Sequence, residues 1–348
     1  MAWWMRCTIV QRRAQSASRQ TMTTAKKTIM KPTRRVSGIL IRTTLFAALV
    51  ATIAGIWAAH TGFIVNPDNA PLVVRRFLYA LGSAVLLVAV SRVPRYRDVA
   101  RTLRCREFAV ALLCVPLLAI VSQVVVVFDY LCVALAPPSI EGDLVRFDSA
   151  LGFHWLGLYR WVNGHPDLRS VLDLAYRSAM LQMIAVPFLL AAMRRVDDLG
   201  EFVAVYACSI LVVVLVSAPF PAESAFVRFG ITDPGTASTV SHYDLLRSGA
   251  LRQLNLSESQ GLVSLPSFHV MMAIMLAYAV RHVRYVFPAS VVLNLVMIAS
   301  TPTQGGHYLA DVIAGVVCGI LTIVAVRRWL AGGRRTAAMM EPPAARPT

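Results

Sequence analysis

Two short polar motifs in an otherwise apolar chain hold the residues that could do chemistry. One is Pro266-Ser267-Phe268-His269; the other is Gly305-Gly306-His307-Tyr308, followed by Asp311. Four positions separate His307 from Asp311, so on a helix they share a face. A carboxylate there can take the Nδ1 proton of His307, fix its tautomer and leave Nε2 as a nucleophile. His269 then offers a second imidazole, able to protonate a leaving oxygen and later to activate water. Two imidazoles with split roles suit phosphoryl transfer. Ser267, the amides that open its helix and the backbone of Gly305 and Gly306 are donors matched to phosphate oxygens. Two His and one Asp make a thin metal site, so no metal or other cofactor is expected.

Each of these features alone has a plain structural explanation. A membrane-edge His can be a hydrated helix end, and Gly-Gly can serve close helix packing. Their joint occurrence, each beside the start of an apolar run, favours chemistry.

The elements that must position them are membrane helices. Of the 348 residues 57% are hydrophobic, and the mean hydropathy is +0.62, too apolar for polar surface to cover. The six cysteines form no CxxC pair and sit mostly in apolar runs, so they indicate neither a disulfide framework nor a zinc site. A formal charge of +16 could point to nucleic acid, but Lys and Arg concentrate in the N-terminal tail and in short loops. A membrane surface accounts for that pattern, and no nucleic-acid partner is expected.

About 20 apolar residues cross a bilayer core. Eight segments approach that length, near 39–59, 73–91, 108–135, 171–193, 202–220, 267–283, 285–302 and 307–326. The expected architecture is therefore all-α, a polytopic membrane helical bundle. Ten Lys or Arg and no acid lie in the first 43 residues, which reads as a disordered basic tail over 1–38. Alternate loops are also basic: Arg92 to Arg106, Arg194 with Arg195, Arg281 with Arg284, and Arg327 to Arg335. The positive-inside rule then puts both termini in the cytoplasm. His269 and His307 fall together on the opposite face, toward the periplasm or exterior of a bacterial inner membrane. The outer loop over 136–170 carries Phe147, Phe153, Trp155, Tyr159 and Trp161, suited to an interfacial helix or an aromatic belt. The loop over 223–262 is rich in Ser, Asp and Gly and is expected to add little core.

The two motifs, read through as Gly305-Gly306-His307-Tyr308-Leu309-Ala310-Asp311-Val312-Ile313-Ala314-Gly315, resemble the second and third signatures of the type 2 phosphatidic acid phosphatase superfamily. More narrowly they are similar to the branch of inositol phosphorylceramide synthases and related bacterial membrane phosphatases. Gly142-Asp143, Phe147-Asp148, Leu151-Gly152-Phe153, Pro166 and Leu174-Ala175-Tyr176 add to the likeness, which spans about 110–325. The resemblance implies a six-helix catalytic core within 106–330, preceded by two additional spans and a basic loop over 39–105 and followed by a cytoplasmic tail over 331–348. It implies His307 as the nucleophile forming a phosphohistidine, Asp311 as its orienting partner, His269 as general acid, and Ser267 and Gly306 at the phosphate. The implied activity is a membrane lipid-phosphate phosphatase. Its alternatives are a phosphotransferase moving a head group between lipid and alcohol, and a non-catalytic lipid-binding or transport protein. The implied substrate is a lipid phosphate of phosphatidate, polyprenyl or sphingolipid type in the bilayer.

Two departures concern the phosphate. Thr301 stands where the family commonly has Arg, and the region Ala218-Pro219-Phe220-Pro221-Ala222 has no Lys. A phosphate dianion needs cations or several donors. Arg177 and Arg228 are the candidates, with Arg247 and Arg252 behind them.

Overall fold

A computed structural model describes residues 31–66, 68, 70–231, 242–262 and 264–339. Thirteen α-helices lie among the described residues: α1 (Lys31–Thr61), α2 (Ala70–Arg92), α3 (Arg97–Thr102), α4 (Cys105–Ala134), α5 (Glu141–Ala150), α6 (Trp155–Asn163), α7 (Pro166–Ala192), α8 (Val196–Ser217), α9 (Ala225–Arg228), α10 (His242–Arg247), α11 (Phe268–Ala279), α12 (Val286–Gln304) and α13 (Leu309–Met339). A parallel pair of three-residue strands, β1 (Ile64–Asn66) and β2 (Gln253–Asn255), ties the end of α1 to the later loop. This is an all-α polytopic membrane bundle.

Seven helices, α1, α2, α4, α7, α8, α12 and α13, are long and apolar enough to cross a bilayer. The segment expected over 267–283 differs: α11 has 12 residues, about 18 Å at the helical rise, short of the ~30 Å hydrocarbon core. It can be short because α7, α8, α12 and α13 pack around it, so protein and not lipid meets most of its surface. Val270, Met271, Met272, Ala273, Met275, Leu276 and Ala279 are all buried. Just beyond its end, Arg281 reaches Glu201 at 2.7 Å and Asp198 at 3.5 Å, while its guanidinium lies 3.8 Å from the Tyr278 ring centroid. Such a charged network needs an aqueous or interfacial border. On the other side, a Cβ on Gly315 of α13 would lie 2.7 Å from the Ser267 carbonyl oxygen and 2.9 Å from Val270 Cβ, so only glycine permits this approach of α13 to α11.

The tail boundaries also shift. Residues 31–38, expected in the disordered basic tail, are the first turns of α1, and α13 continues through 331–339. The remaining tail segments, 1–30 and 340–348, lie outside the described residues. Ile39 and Ala47 of α1 belong to the same buried cluster as Val203, Met275 and Met297.

The bundle has two chemically distinct ends. Arg194 Nη2 donates to the Arg101 carbonyl at 3.0 Å, and Asp198 pairs with both Arg195 (3.3 Å) and His282 (3.1 Å), so three basic loops meet at one end. Val36, near the start of α1, packs beside Gly200 at this end too. Over the opposite end, α5, α6 and α9 form a cap around Trp155, which stacks on Tyr159 and Phe229 with centroids 5.1 and 5.2 Å away. Trp155 is buried and donates its indole N–H to the Pro302 carbonyl at 3.0 Å, whereas Trp161 and Phe147 are exposed. The region 223–262 contributes more core than its composition suggests: Phe226, Tyr243, Leu246, Leu254 and Leu262 are buried. Its short elements place these few apolar residues on inward faces.

Candidate active site

The second motif is held as a turn in front of α13. Asp148 of α5 accepts the backbone N–H groups of Leu309 (2.8 Å) and Ala310 (2.9 Å), two donors that the helix start leaves without internal partners. Burial, with Asp311 nearby, lifts the Asp148 carboxyl above the usual aspartate range, while those two N–H groups pull it back. Gly306 takes φ +65, and a Cβ there would sit 2.2 Å from Ser224 Oγ and 2.5 Å from Phe226 Cδ2. No other residue fits that position without rearrangement.

His307 therefore precedes α13 and does not lie on it, while Asp311 is in the first turn. The imidazole Nδ1 is 3.1 Å from the Ser264 carbonyl oxygen and 3.4 Å from Asp311 Oδ2. An Nδ1–H donor thus meets the carbonyl first, with the carboxylate beside it. Asp311 Oδ2 is engaged elsewhere: it accepts the Tyr308 N–H at 2.8 Å and the Ser264 hydroxyl. The Asp311 carbonyl accepts the Ser267 N–H at 3.1 Å, joining the two motif loops.

His269 is the second residue of α11. Tyr176 of α7 stacks on it with centroids 4.1 Å apart, and the Tyr176 hydroxyl is 3.1 Å from His269 Nδ1. A Cβ on Gly305 would lie 2.9 Å from both His307 Cδ2 and Tyr176 Oη, so the His307 ring and the Tyr176–His269 pair converge at this glycine.

Both imidazoles and Tyr176 face one cavity of about 590 Å³, whereas Asp311 is fully buried and does not line it. His307, His269, Tyr176, Ser264, Gly305 and Ser224 line it, with Arg169, Asp173 and Arg177 along α7. Arg177 pairs with Asp173 at 2.8 Å and is largely exposed. The structure does not bring every expected residue to this wall. Ser267 is fully buried, its hydroxyl has no hydrogen-bond partner among the described residues, and it lies off the wall. Gly306 is likewise off the wall, whereas its neighbour Gly305 and the nearby Ser264 line it. Arg228 ends α9 outside the wall, where it and Arg247 only partly offset burial, Asp244 and Glu141, which lift the Glu223 carboxyl. Arg247 donates to the Pro137 carbonyl at 2.8 Å, and it and Arg252 are also off the wall.

Sequence reasoning missed Ser264, Ser224 and Arg169, and gave Asp148 and Tyr176 no chemical role. A signal existed for Arg169: with Asp173 and Arg177 it follows i, i+4, i+8 spacing, once α7 is known to start at Pro166 and not near 171. Ser264 and Asp148 act across 43 and 161 positions, and no local pattern reveals such a pair.

A membrane bundle with two histidines and two arginines around one cavity defines a class suited to phosphate chemistry. The chain belongs to the PAP2 superfamily, whose family model matches residues 142–325. No curated protein and no solved structure gives a significant match. The matched stretch begins inside α5, so α4 precedes it.

Proposed function

We propose that this protein is a membrane lipid-phosphate phosphatase working through a phosphohistidine on His307. The observation that carries the reading is His307 Nδ1 set 3.1 Å from the Ser264 carbonyl, with His269 on the wall of the same cavity. A proton held at Nδ1 leaves the Nε2 lone pair as the attacking group. Attack forms an Nε2–P bond and breaks the P–O bond to the lipid, and the departing oxygen takes a proton from protonated His269. The imidazole then carries positive charge, which the Asp311 carboxylate beside it stabilises. In the second step water attacks phosphorus, its proton passes to His269, and the P–N electron pair returns to Nε2. Arg169 and Arg177 supply the cations missing from the family's usual positions, and Ser264 and Gly305 lie at the phosphate.

The gathering of basic loops at the end opposite the cavity supports a site on the outer face of a bacterial plasma membrane with cytoplasmic termini. Within this reading residues 106–330 form the catalytic domain, 39–105 add two spans, and 1–38 and 331–348 lie on the cytoplasmic side. The size of the cavity also admits an alcohol in place of water, which would make the enzyme a phosphotransferase.

Phosphate release from phosphatidic acid and from a polyprenyl pyrophosphate, by wild type and His307→Ala, tests the reading. Wild type should release phosphate and trap it as an acid-labile adduct on His307. Equal release by both proteins overturns the nucleophile assignment, and no release by either leaves a lipid-binding protein. Arg169→Ala and Arg177→Ala should each raise KM for phosphatidic acid.

A further inference from the structure

The mechanism leaves one ionisable wall of the cavity unused. Val125, Val126 and Asp129 of α4 line it, and α4 lies outside the part of the chain matched by the family. Asp129 is 6% exposed; its Oδ1 is buried with no hydrogen-bond partner, and the carboxylate forms no ion pair among the described residues. Its surroundings are ordered: the Tyr130 hydroxyl accepts the Gln260 backbone N–H at 2.8 Å and is 2.9 Å from His242 Nδ1, fastening the 256–262 segment over α4. A buried, unpartnered carboxylate is expensive to keep. Its unpartnered Oδ1 is a hydrogen-bond acceptor, so it calls for a donor on the ligand. Asn163, Gln260, Thr303 and Gln304 line the same cavity. Carboxamides and a hydroxyl in the same cavity as a carboxyl group match an alcohol group, which both gives and takes hydrogen bonds, better than an ammonium group, which only gives them.

We infer that Asp129 forms a subsite for a hydroxyl of a polyol, and that this polyol takes the phosphoryl group from His307 in competition with water. The inference rests on the phosphohistidine reading for its chemistry. In the transfer, an acceptor oxygen forms the new P–O bond, its proton goes to His269, and the P–N bond breaks with its electron pair returning to Nε2. Asp129 holds a second hydroxyl of the acceptor and so acts as a specificity residue.

The test uses the full-length protein in detergent as wild type, Asp129→Asn and Asp129→Leu, with folding checked by thermal melts. Binding of glycerol, glucose and myo-inositol is first titrated by saturation-transfer NMR without lipid. The same polyols are then added to phosphatidic acid, and inorganic phosphate and polyol phosphate are counted in one reaction. At least one polyol should bind wild type, with affinity about tenfold weaker in both variants, as expected for one charge-assisted hydrogen bond. The ratio of polyol phosphate to inorganic phosphate should fall by a similar factor. Absence of polyol binding to wild type, or equal binding and an equal product ratio in all three proteins, overturns the subsite. If wild type and His307→Ala are equally inactive, the phosphatase reading fails while the binding titration still decides the subsite.

Discussion

The phenol of Tyr176 stacks on the imidazole of His269 with centroids 4.1 Å apart and places its hydroxyl 3.1 Å from Nδ1. One side chain thus holds both the plane of His269 and the protonation of its inner nitrogen. Tyr176→Phe keeps the ring and removes the hydroxyl. We expect kcat for phosphate release to fall about tenfold with little change in KM, because one hydrogen bond of about 1–1.5 kcal/mol acts on proton transfer and not on lipid binding. Steady-state kinetics on phosphatidic acid read this directly.

Asp311→Asn separates charge from tautomer. In a triad whose carboxylate alone orients the imidazole, the amide inverts the tautomer and costs about 10⁴-fold. Here the Ser264 carbonyl is the nearer partner of Nδ1, at 3.1 Å against 3.4 Å for Asp311 Oδ2. The tautomer should survive, and the variant should lose about 10- to 100-fold in kcat, the part owed to stabilising a cationic imidazole. A loss as complete as that of His307→Ala would show that Asp311, and not Ser264, sets the tautomer.

The cap of α13 should be pH-sensitive. Burial raises the Asp148 carboxyl pKa above its unfolded value, so the folded state holds this proton more tightly. Its favourable contribution is then fully present below the ordinary aspartate value of ~3.9 and is lost as pH rises through the raised value. Asp148→Asn cannot titrate. The Tm of wild type relative to this variant should fall as pH increases from about 4 to about 7, and thermal melts at several pH values measure it. A gap that widens with pH would contradict the sign.

Gly306→Ala should be among the most damaging small substitutions in the chain. The added methyl meets Ser224 Oγ at 2.2 Å and Phe226 Cδ2 at 2.5 Å, in a backbone conformation of φ +65. Overpacking and the left-handed conformation together cost about 2–5 kcal/mol. A lowered Tm and lost activity are expected, whereas Gly62→Ala, with φ +67 but open space around it, should cost about 1–2 kcal/mol, from the backbone alone.

Much was legible without the fold because it is local. Apolar runs mark membrane helices by length alone, and all eight regions contain helices, although α11 stops at 12 residues once other helices shield it from lipid. The two motifs are local too, and both histidines reach one cavity. Spacing put Asp311 near His307, but it could not show that a backbone carbonyl lies closer. What only the tertiary structure decided are the pairs formed across the bundle: Ser264 with His307, Tyr176 with His269, Asp148 with the start of α13, and Asp129 facing the same space as the histidines. Periodicity determines which face of a helix a residue occupies, whereas the identity of the neighbour on that face depends on how distant segments pack. That is why both motif histidines could be read from the amino-acid order, and why the residues that pack against them could not.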